Sequence, residues 1–368
     1  MLETKTMEIE EKYMRRCIAL ARNGFCHTAP NPMVGAVIVC DGVIIGEGYH
    51  VQCGQAHAEV NAIRSVKRPE LLSRSTLYVS LEPCSHYGKT PPCADLIIEK
   101  HIPRVVVGCM DPFEKVSGRG IQKLRDAGCE VVVGVLEAEC RRLIERFLTF
   151  HQKHRPYITL KWAQTADGYI DLKRESGTPV PISSPLTQLR VHKLRAEHAA
   201  IMVGYHTARL DNPSLNVRHW SGPQPLRIVT DRFCRLSSSL HLFDGSQPTL
   251  VLIGKEHPKP EVNGQVAYPV EYVQLEDDKP MLPQLMELLY HRQVQSLLVE
   301  GGSRLLQSFI DASLWDEAVV EESPLILGGG VSAPQLSQAV NVERNPCFGH
   351  WISRYERAIR QNYLPHYL

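Results

Sequence analysis

No apolar run in this 368-residue chain approaches the ~18 residues that a membrane-crossing helix needs, so no membrane partner is expected. Neither sign of charge is in excess: 41 Lys and Arg stand against 40 Asp and Glu, a formal net charge of +1. A protein whose main work is coating nucleic acid needs surplus cations to neutralise phosphates, and none are present, so no nucleic-acid partner is expected. The opening MLETKTMEIEEK lacks an apolar core and carries four Glu. It reads as neither a secretory signal nor an acid-poor transit peptide, and the compartment expected is the cytoplasm. Internal repeats and low-complexity tracts are missing as well. The eleven cysteines are odd in number and scattered from Cys17 to Cys347, which does not make a disulfide framework. Most are expected to be small buried apolar residues, Cys17, Cys40, Cys109 and Cys129 among them, leaving a few for metal.

What is present is an ordinary globular composition, 43% hydrophobic and 22% charged, long enough for two domains. In the first 150 residues strands and helices alternate. Helical spacing runs over Glu8–Asn23, His57–Val66, Asp95–Lys100, Gly120–Ala127 and Glu137–Thr149. Strands are predicted at Val34–Cys40 and Val43–Tyr49, joined by the hairpin turn Asp41-Gly42, and at Ser75–Leu81, Arg104–Gly108 and Glu130–Val133. This is the pattern of a three-layer α/β/α domain whose sheet is largely parallel after the opening hairpin. The basic, Pro-ended segment His151–Pro156 marks a boundary, giving domains 1–150 and 151–368. The second half repeats the alternation, with strands at Tyr157–Trp162, Ala200–Val203, Leu226–Thr230, Thr249–Ile253 and Ser296–Val299. Its helices are Pro185–Glu197, Met281–His291 and Ser303–Asp311, and Glu317–Ser323 is its last clear strand.

One constellation carries chemistry. His57-Ala58-Glu59 opens a predicted helix, Pro83-Cys84 follows a strand, and Cys93 begins another helix. One His and two Cys are a usual donor set for zinc, and three protein ligands leave a fourth position for water. A bound zinc lowers that water's pKa towards neutrality. Glu59, two residues from a ligand, is placed to carry protons as the catalytic base and acid without binding the metal. About one zinc per chain is expected.

The zinc nucleobase deaminases use this set. Their usual two-residue gap between cysteines is here eight, Ser85 to Pro92. The loop Cys-Ser-His-Tyr-Gly-Lys-Thr-Pro-Pro-Cys resembles the deaminase half of a bifunctional riboflavin-biosynthesis family. Asn31-Pro32-Met33-Val34-Gly35, Gly48-Tyr49-His50 and Gly118-Arg119-Gly120 carry the same resemblance. It implies a cytidine-deaminase-like domain in which Asn31, His50 and Lys89 contact a phosphorylated pyrimidine. Phe113 departs from the family's frequent Asn.

In the second half the bottom-up signal is a Gly301-Gly302 turn between a strand and the helix from Ser303. It suits phosphate, but no Gly-x-Gly-x-x-Gly is present, and on this evidence alone a tight strand-to-helix turn is the better reading. The arginines and lysine at 190, 193, 195, 209 and 218 fit either a solvated surface or a phosphate site. By resemblance this half is similar to the family's reductase, with a dihydrofolate-reductase-like α/β fold. The matching segments are Lys161–Gly168, Leu194–Ala196, Val203–Arg218, Pro225–Asp231 and Val299–Phe309. The resemblance implies NADPH contacts from Ala163, Thr207, Asp211, Gly302, Ser303, Arg304, Leu305, Leu306, Gln307 and Ser308. It implies substrate contacts from Lys161, Ser183, Arg195, Leu215, Arg218 and Glu300. Pro181 replaces a common Trp, Asn212 a common Asp, and the 171–179 loop is longer than usual.

The implied activity is zinc-dependent deamination of a diaminopyrimidinone ribosylamine phosphate, then NADPH reduction of its ribosyl group to a ribityl chain, by a homo-oligomer. Three alternatives stand beside it. One is a tRNA-type deaminase. Another is a deaminase with a non-catalytic second domain. The third is a structural zinc module, for which His86 or another cysteine would complete a fourth ligand.

Overall fold

The alternation of strand and helix is present in both halves of a computed structural model, which describes residues 2–85, 87, 91–111, 118–259, 268 and 270–358. Two compact units divide between His154 and Arg155.

The first unit begins with α1 (Leu2–Ala21), the hairpin β1 (Gly35–Cys40) and β2 (Val43–Tyr49), and α2 (Ala58–Ser65). It continues with β3 (Thr76–Leu81), α3 (Cys93–Glu99), β4 (Arg104–Cys109), α4 (Arg119–Asp126), β5 (Glu130–Val133), α5 (Glu137–Leu143) and α6 (Glu145–Lys153). The strand order is β2-β1-β3-β4-β5. β1 is antiparallel to both β2 and β3, whereas β3, β4 and β5 run parallel. Asp41 and Gly42 both take positive φ, 50° and 77°, as a two-residue hairpin turn of the primed type requires.

Successive side chains of a strand go to opposite faces. Ile38, Leu77, Val79, Val105 and Val107 therefore pack on one side with Ala62, Ile97 and Leu124 of α2, α3 and α4. Val37, Val39, Tyr78 and Val106 pack on the other with Met14, Cys17 and Cys140 of α1 and α5. The result is three layers with the sheet in the middle. Cys17, Cys40 and Cys109 are buried and Cys129 half-buried, and all eleven cysteines are free thiols. The single helix expected over Glu137–Thr149 is corrected to two. Ile144 leaves helical geometry (φ −105°, ψ 20°), and the break keeps it in the same apolar cluster as Cys140 and Leu148.

The second unit contains β6 (Tyr157–Thr165), β7 (Tyr169–Asp171), α7 (Pro185–Ala196), β8 (Ala200–Val203), α8 (Tyr205–Asp211), β9 (Leu226–Thr230), β10 (Thr249–Gly254) and β11 (Val270–Leu275). Then come α9 (Met281–His291), β12 (Ser296–Gly301), α10 (Ser303–Asp311), β13 (Glu317–Ser323), β14 (Val331–Ser332), β15 (Ala339–Cys347) and β16 (His350–Arg357). Nine strands form one sheet in the order β11-β10-β9-β8-β12-β6-β13-β16-β15. The pairings are parallel from β11 through β13 and antiparallel at β16 and β15. At the start of β6, Arg155 donates to both carboxylate oxygens of Asp316 (2.6 and 2.9 Å), and Asp316 also accepts the Ile158 N–H at 2.9 Å. That buried pair fixes where β6 and β13 begin their register.

Glu317–Ser323 is the last strand with a clear sequence pattern; β14 follows it, and the motif-free segment from Asn341, where an extra strand and tail are expected, forms most of the hairpin β15–β16. β15 is an edge strand exposed over most of its length, so it lacks the alternating apolar pattern that marks a half-buried strand. Pro346 is tolerated there because an edge strand spares one donor. β7, α8 and β11 were also not anticipated; β7 and α8 are short, with three and seven residues.

Candidate active sites

The loops that follow parallel strands open at one edge of a sheet, where α/β proteins commonly hold ligands. In the first unit three donor atoms converge there. His57 Nδ1 and the Sγ atoms of Cys84 and Cys93 lie within 4.8 Å of one another. His57 is the N-cap of α2, Cys84 follows β3, and Cys93 is the first residue of α3. The Cys93 N–H donates to Cys84 Sγ at 3.2 Å, and the Ala94 N–H to the Cys84 carbonyl at 3.1 Å. Hydrogen bonds from the Cys93 thiol and from His57 outweigh burial and hold the Cys84 thiol below its ordinary pKa. That favours the thiolate, the form that ligates metal. One imidazole and two sulfurs at this spacing fit a tetrahedral zinc with one position free of protein.

Glu59 sits in the first turn of α2, 3% exposed. Burial, with the neighbouring Cys84 charge, lifts its carboxyl to about 7, and the Cys93 thiol lies within hydrogen-bonding reach of it. A carboxyl titrating near neutrality can both accept and return a proton. His50 lies edge-on to His57 with ring centroids 5.4 Å apart. Its Nδ1–H donates to the Ala56 carbonyl (3.2 Å) and its Nε2 accepts from the Asn31 amide (3.1 Å), the assignment both contacts require. Burial and the nearby His57 hold the His50 imidazole below its ordinary pKa, so it stays neutral. Asn31 and His50 are thus brought to the zinc ligands. Lys89, His86 and Phe113 lie outside the described residues.

Sequence reasoning passed over Glu82, the residue before Pro83-Cys84. Its buried carboxylate accepts four backbone N–H groups, from Asp111 (3.2 Å), Gly118 (3.0 Å), Gly120 (2.9 Å) and Ile121 (3.3 Å). A Cβ on Gly120 would lie 2.0 Å from the Pro83 carbonyl oxygen, so glycine alone allows α4 to approach the metal-bearing turn this closely. The available signal was an acidic residue at the end of an otherwise apolar buried strand.

The second unit holds a cavity of about 880 Å³. Lys161 and Ala163 of β6, Ser183 and Glu300 line it. So do Thr207 and Asp211 of α8, and Gly302 through Leu306 at the start of α10. This is ample room for a dinucleotide part and a small substrate, and the free N–H groups at the start of α10 suit phosphate. Gly301 has φ +148°, and Gly302 packs so tightly that a Cβ would meet Thr207 Oγ1 at 3.0 Å.

Other expected residues are not on the cavity wall. Leu215 is 1% exposed in an apolar cluster. Gln307 donates to Asp311 and Ser308 to the Leu305 carbonyl, both within or beside α10. Arg218 is exposed and donates to Asn216 at 2.9 Å. Arg195 stands behind the wall, where its guanidinium clasps Glu300 and donates to the Asn216 carbonyl at 3.1 Å. Arg190 is exposed, and Lys193 lies over the Trp220 ring, both on the surface. Burial, then the charges of Arg195, Arg218 and His219, push His192 down to about 4, a sign of positive potential on that side. Burial lowers the Lys161 pKa, against the opposing pull of Glu300 and Glu321. Arg174 carries no sequence signal because it stands in the 171–179 loop, which is longer than the family's. It lines the cavity, donates to Asp171 at 2.7 Å and is hydrogen-bonded to Asp211.

Residues 7–109 match the cytidine and deoxycytidylate deaminase zinc-binding region, and residues 156–348 match the RibD C-terminal domain. The riboflavin biosynthesis protein RibD of Aquifex aeolicus is 42% identical over 89% of this chain and 91% of its own length. That of Actinobacillus pleuropneumoniae is 39% identical over 90% of each. A crystal structure from Thermotoga maritima, a diaminohydroxyphosphoribosylaminopyrimidine deaminase/5-amino-6-(5-phosphoribosylamino)uracil reductase, superposes with a TM-score of 0.84 at 36% identity, covering 96% of this chain and 99% of that one. Acinetobacter baumannii RibD superposes at 0.82 with 31% identity, covering 95% and 99%.

Proposed function

From the premise that this chain belongs to the RibD family of riboflavin biosynthesis proteins, we infer which residues perform each of its reactions. The protein is a bifunctional enzyme, a deaminase that uses zinc and a reductase that uses NADPH. Its folds are a cytidine-deaminase-like domain and a RibD reductase domain. The substrates are those in the name of the Thermotoga relative: a diaminopyrimidinone ribosylamine phosphate for deamination, and the resulting ribosylaminouracil phosphate for reduction.

In the deaminase His57, Cys84 and Cys93 would hold zinc, which would supply the Lewis acidity that activates a water. Glu59, buried beside these donors, would carry a proton from water to the departing ammonia as general base and then general acid. Asn31 and neutral His50 orient the pyrimidine, with Lys89 as the phosphate contact. In the reductase NADPH supplies hydride for C1′ of the ribosyl group. Thr207, Asp211 and Gly302 through Leu306 bind the cofactor, Ala163 flanks it, and Gln307 and Ser308 support the first turns of α10. Lys161, Ser183 and Glu300 face the substrate, while Arg195 fixes Glu300 and Leu215 supports the loop that carries Arg218. Domains 1–150 and 151–368 are the working halves. We further place the protein in the cytoplasm as a homo-oligomer, in keeping with its free thiols and enzymatic class.

The observation that carries this reading is three zinc-type donors within 4.8 Å of each other, with a buried carboxyl beside them. A net charge of +1 weighs against the RNA-deaminase alternative. The test is the product mass after zinc-loaded protein meets the diaminopyrimidinone substrate and NADPH. A product both deaminated and reduced is expected. A product only deaminated would leave the second domain non-catalytic, and unchanged substrate would overturn the assignment.

A further inference from the structure

We propose that Glu321 is a positioning residue of the reductase pocket, held by His350 from the C-terminal hairpin and in turn holding Ser183. The inference rests on the reading of that pocket as the reductase site.

Register places these residues on one face of the sheet. Glu321 of β13 is directly opposite Ala163 of β6, a cavity residue, and opposite Ile352 of β16 on its other side. His350 is two residues from Ile352 and therefore shares its face. The Ser183 hydroxyl donates to Glu321 Oε2 at 2.6 Å. Glu321 Oε1 lies 2.8 Å from His350 Nδ1, a close polar contact that is not aligned as a hydrogen bond. Glu321 is 2% exposed and His350 9%. Both Oε1 and Nδ1 are buried, and neither has an aligned hydrogen-bond partner among the described residues, so each depends on this close approach.

A buried carboxylate is costly unless donors surround it. Here one donor, the Ser183 hydroxyl, comes from the loop that walls the cavity, and the His350 imidazole approaches from the last hairpin of the sheet. Ser183 immediately precedes Ser184, whose side chain caps α7 by accepting the Thr187 N–H at 3.2 Å. Fixing Ser183 thus fixes both the cavity wall and the first turn of the helix that carries Arg195. A packing role alone would be met at least as well by apolar residues, as replacements of buried ion pairs show. The placement against Lys161 and Ala163 argues for a task in the pocket.

The test measures NADPH oxidation by the full-length chain with the ribosylaminouracil phosphate. His350→Ala is expected to raise the KM for that substrate about tenfold, while the KM for NADPH moves by less than about twofold. His350→Asn, whose amide can take the place of Nδ1, is expected to restore the wild-type value. Ser183→Ala, which also loses a hydroxyl facing the substrate, should raise that KM at least as much as His350→Ala, and the double variant should be no worse than Ser183→Ala alone, because both break one chain of contacts. Should His350→Ala fail to fold, Ser183→Ala and His350→Asn carry the same expectations. A folded His350→Ala with unchanged substrate KM, or additive losses in the double variant, would overturn the inference. Wild-type protein that does not oxidise NADPH with this substrate would overturn the reductase reading, and the inference with it.

Discussion

Arg195 and Glu300 form a two-pronged pair behind the reductase cavity, Nε to Oε1 at 2.8 Å and Nη2 to Oε2 at 2.7 Å. Burial by itself would push the Glu300 carboxyl up. The charge and hydrogen bonds of Arg195, aided by Lys161, reverse this and hold it below its ordinary range. A carboxyl depressed in the folded state contributes stability above its unfolded pKa, and that contribution is lost as pH falls through the folded value. Thermal unfolding followed below about pH 4.3 should therefore show a loss in the wild type that Glu300→Gln does not share. Arg195→Met leaves an uncompensated buried charge and should cost roughly 3–5 kcal/mol at neutral pH. A melting temperature unchanged by Arg195→Met would contradict this account.

Glu59→Gln keeps the side chain's size and removes its proton-carrying ability. Deamination should fall by about 10²–10⁴-fold with zinc content unchanged by elemental analysis. NADPH-dependent reduction of the already deaminated substrate should proceed at its normal rate. Deamination within about tenfold of wild type would remove Glu59 from the role given to it.

Wild-type protein should carry about one zinc per chain. Cys93→Ser should lose it, whereas Cys53→Ser, an exposed cysteine outside the donor cluster, should keep it. Zinc competition with a chromogenic chelator separates the two. Retention of zinc by Cys93→Ser would mean a different ligand set.

Glu82→Ala removes one acceptor from four backbone donors at once. Leaving them without a partner should lower unfolding free energy by about 2–4 kcal/mol, read by urea titration. Because the same carboxylate anchors the turn carrying Cys84, zinc affinity should fall in parallel. A variant as stable as wild type would show that water replaces the carboxylate at no cost.

The layered core of the first unit and its metal donors were legible because both depend on short-range patterns. Val37 and Ile38 face opposite layers by strand alternation alone, and His57, Cys84 and Cys93 each sit at an element end that local spacing already marks. Glu82, Arg174, Glu321 and His350 were not legible. The partners of Glu321 are Ser183, 138 residues away, and a hairpin whose outer strand is exposed and carries no apolar period. By sequence Arg195 fits a solvated surface or a phosphate site, and only the fold shows its guanidinium paired with Glu300. Such pairings arise from register between strands that are remote in sequence, and no local period records them.

The order of strands in the second sheet sets a timetable for synthesis. In the first unit β3 finds β1 already made, and all five strands are complete by Val133. In the second, β6 is translated first yet lies between β12 and β13, which come near the end. While the ribosome works through α7 to α9, β6 has neither neighbour, and both its edges are open templates for wrong pairing. The zinc-binding half can thus be finished on a nascent chain whose other half still has an unpaired central strand.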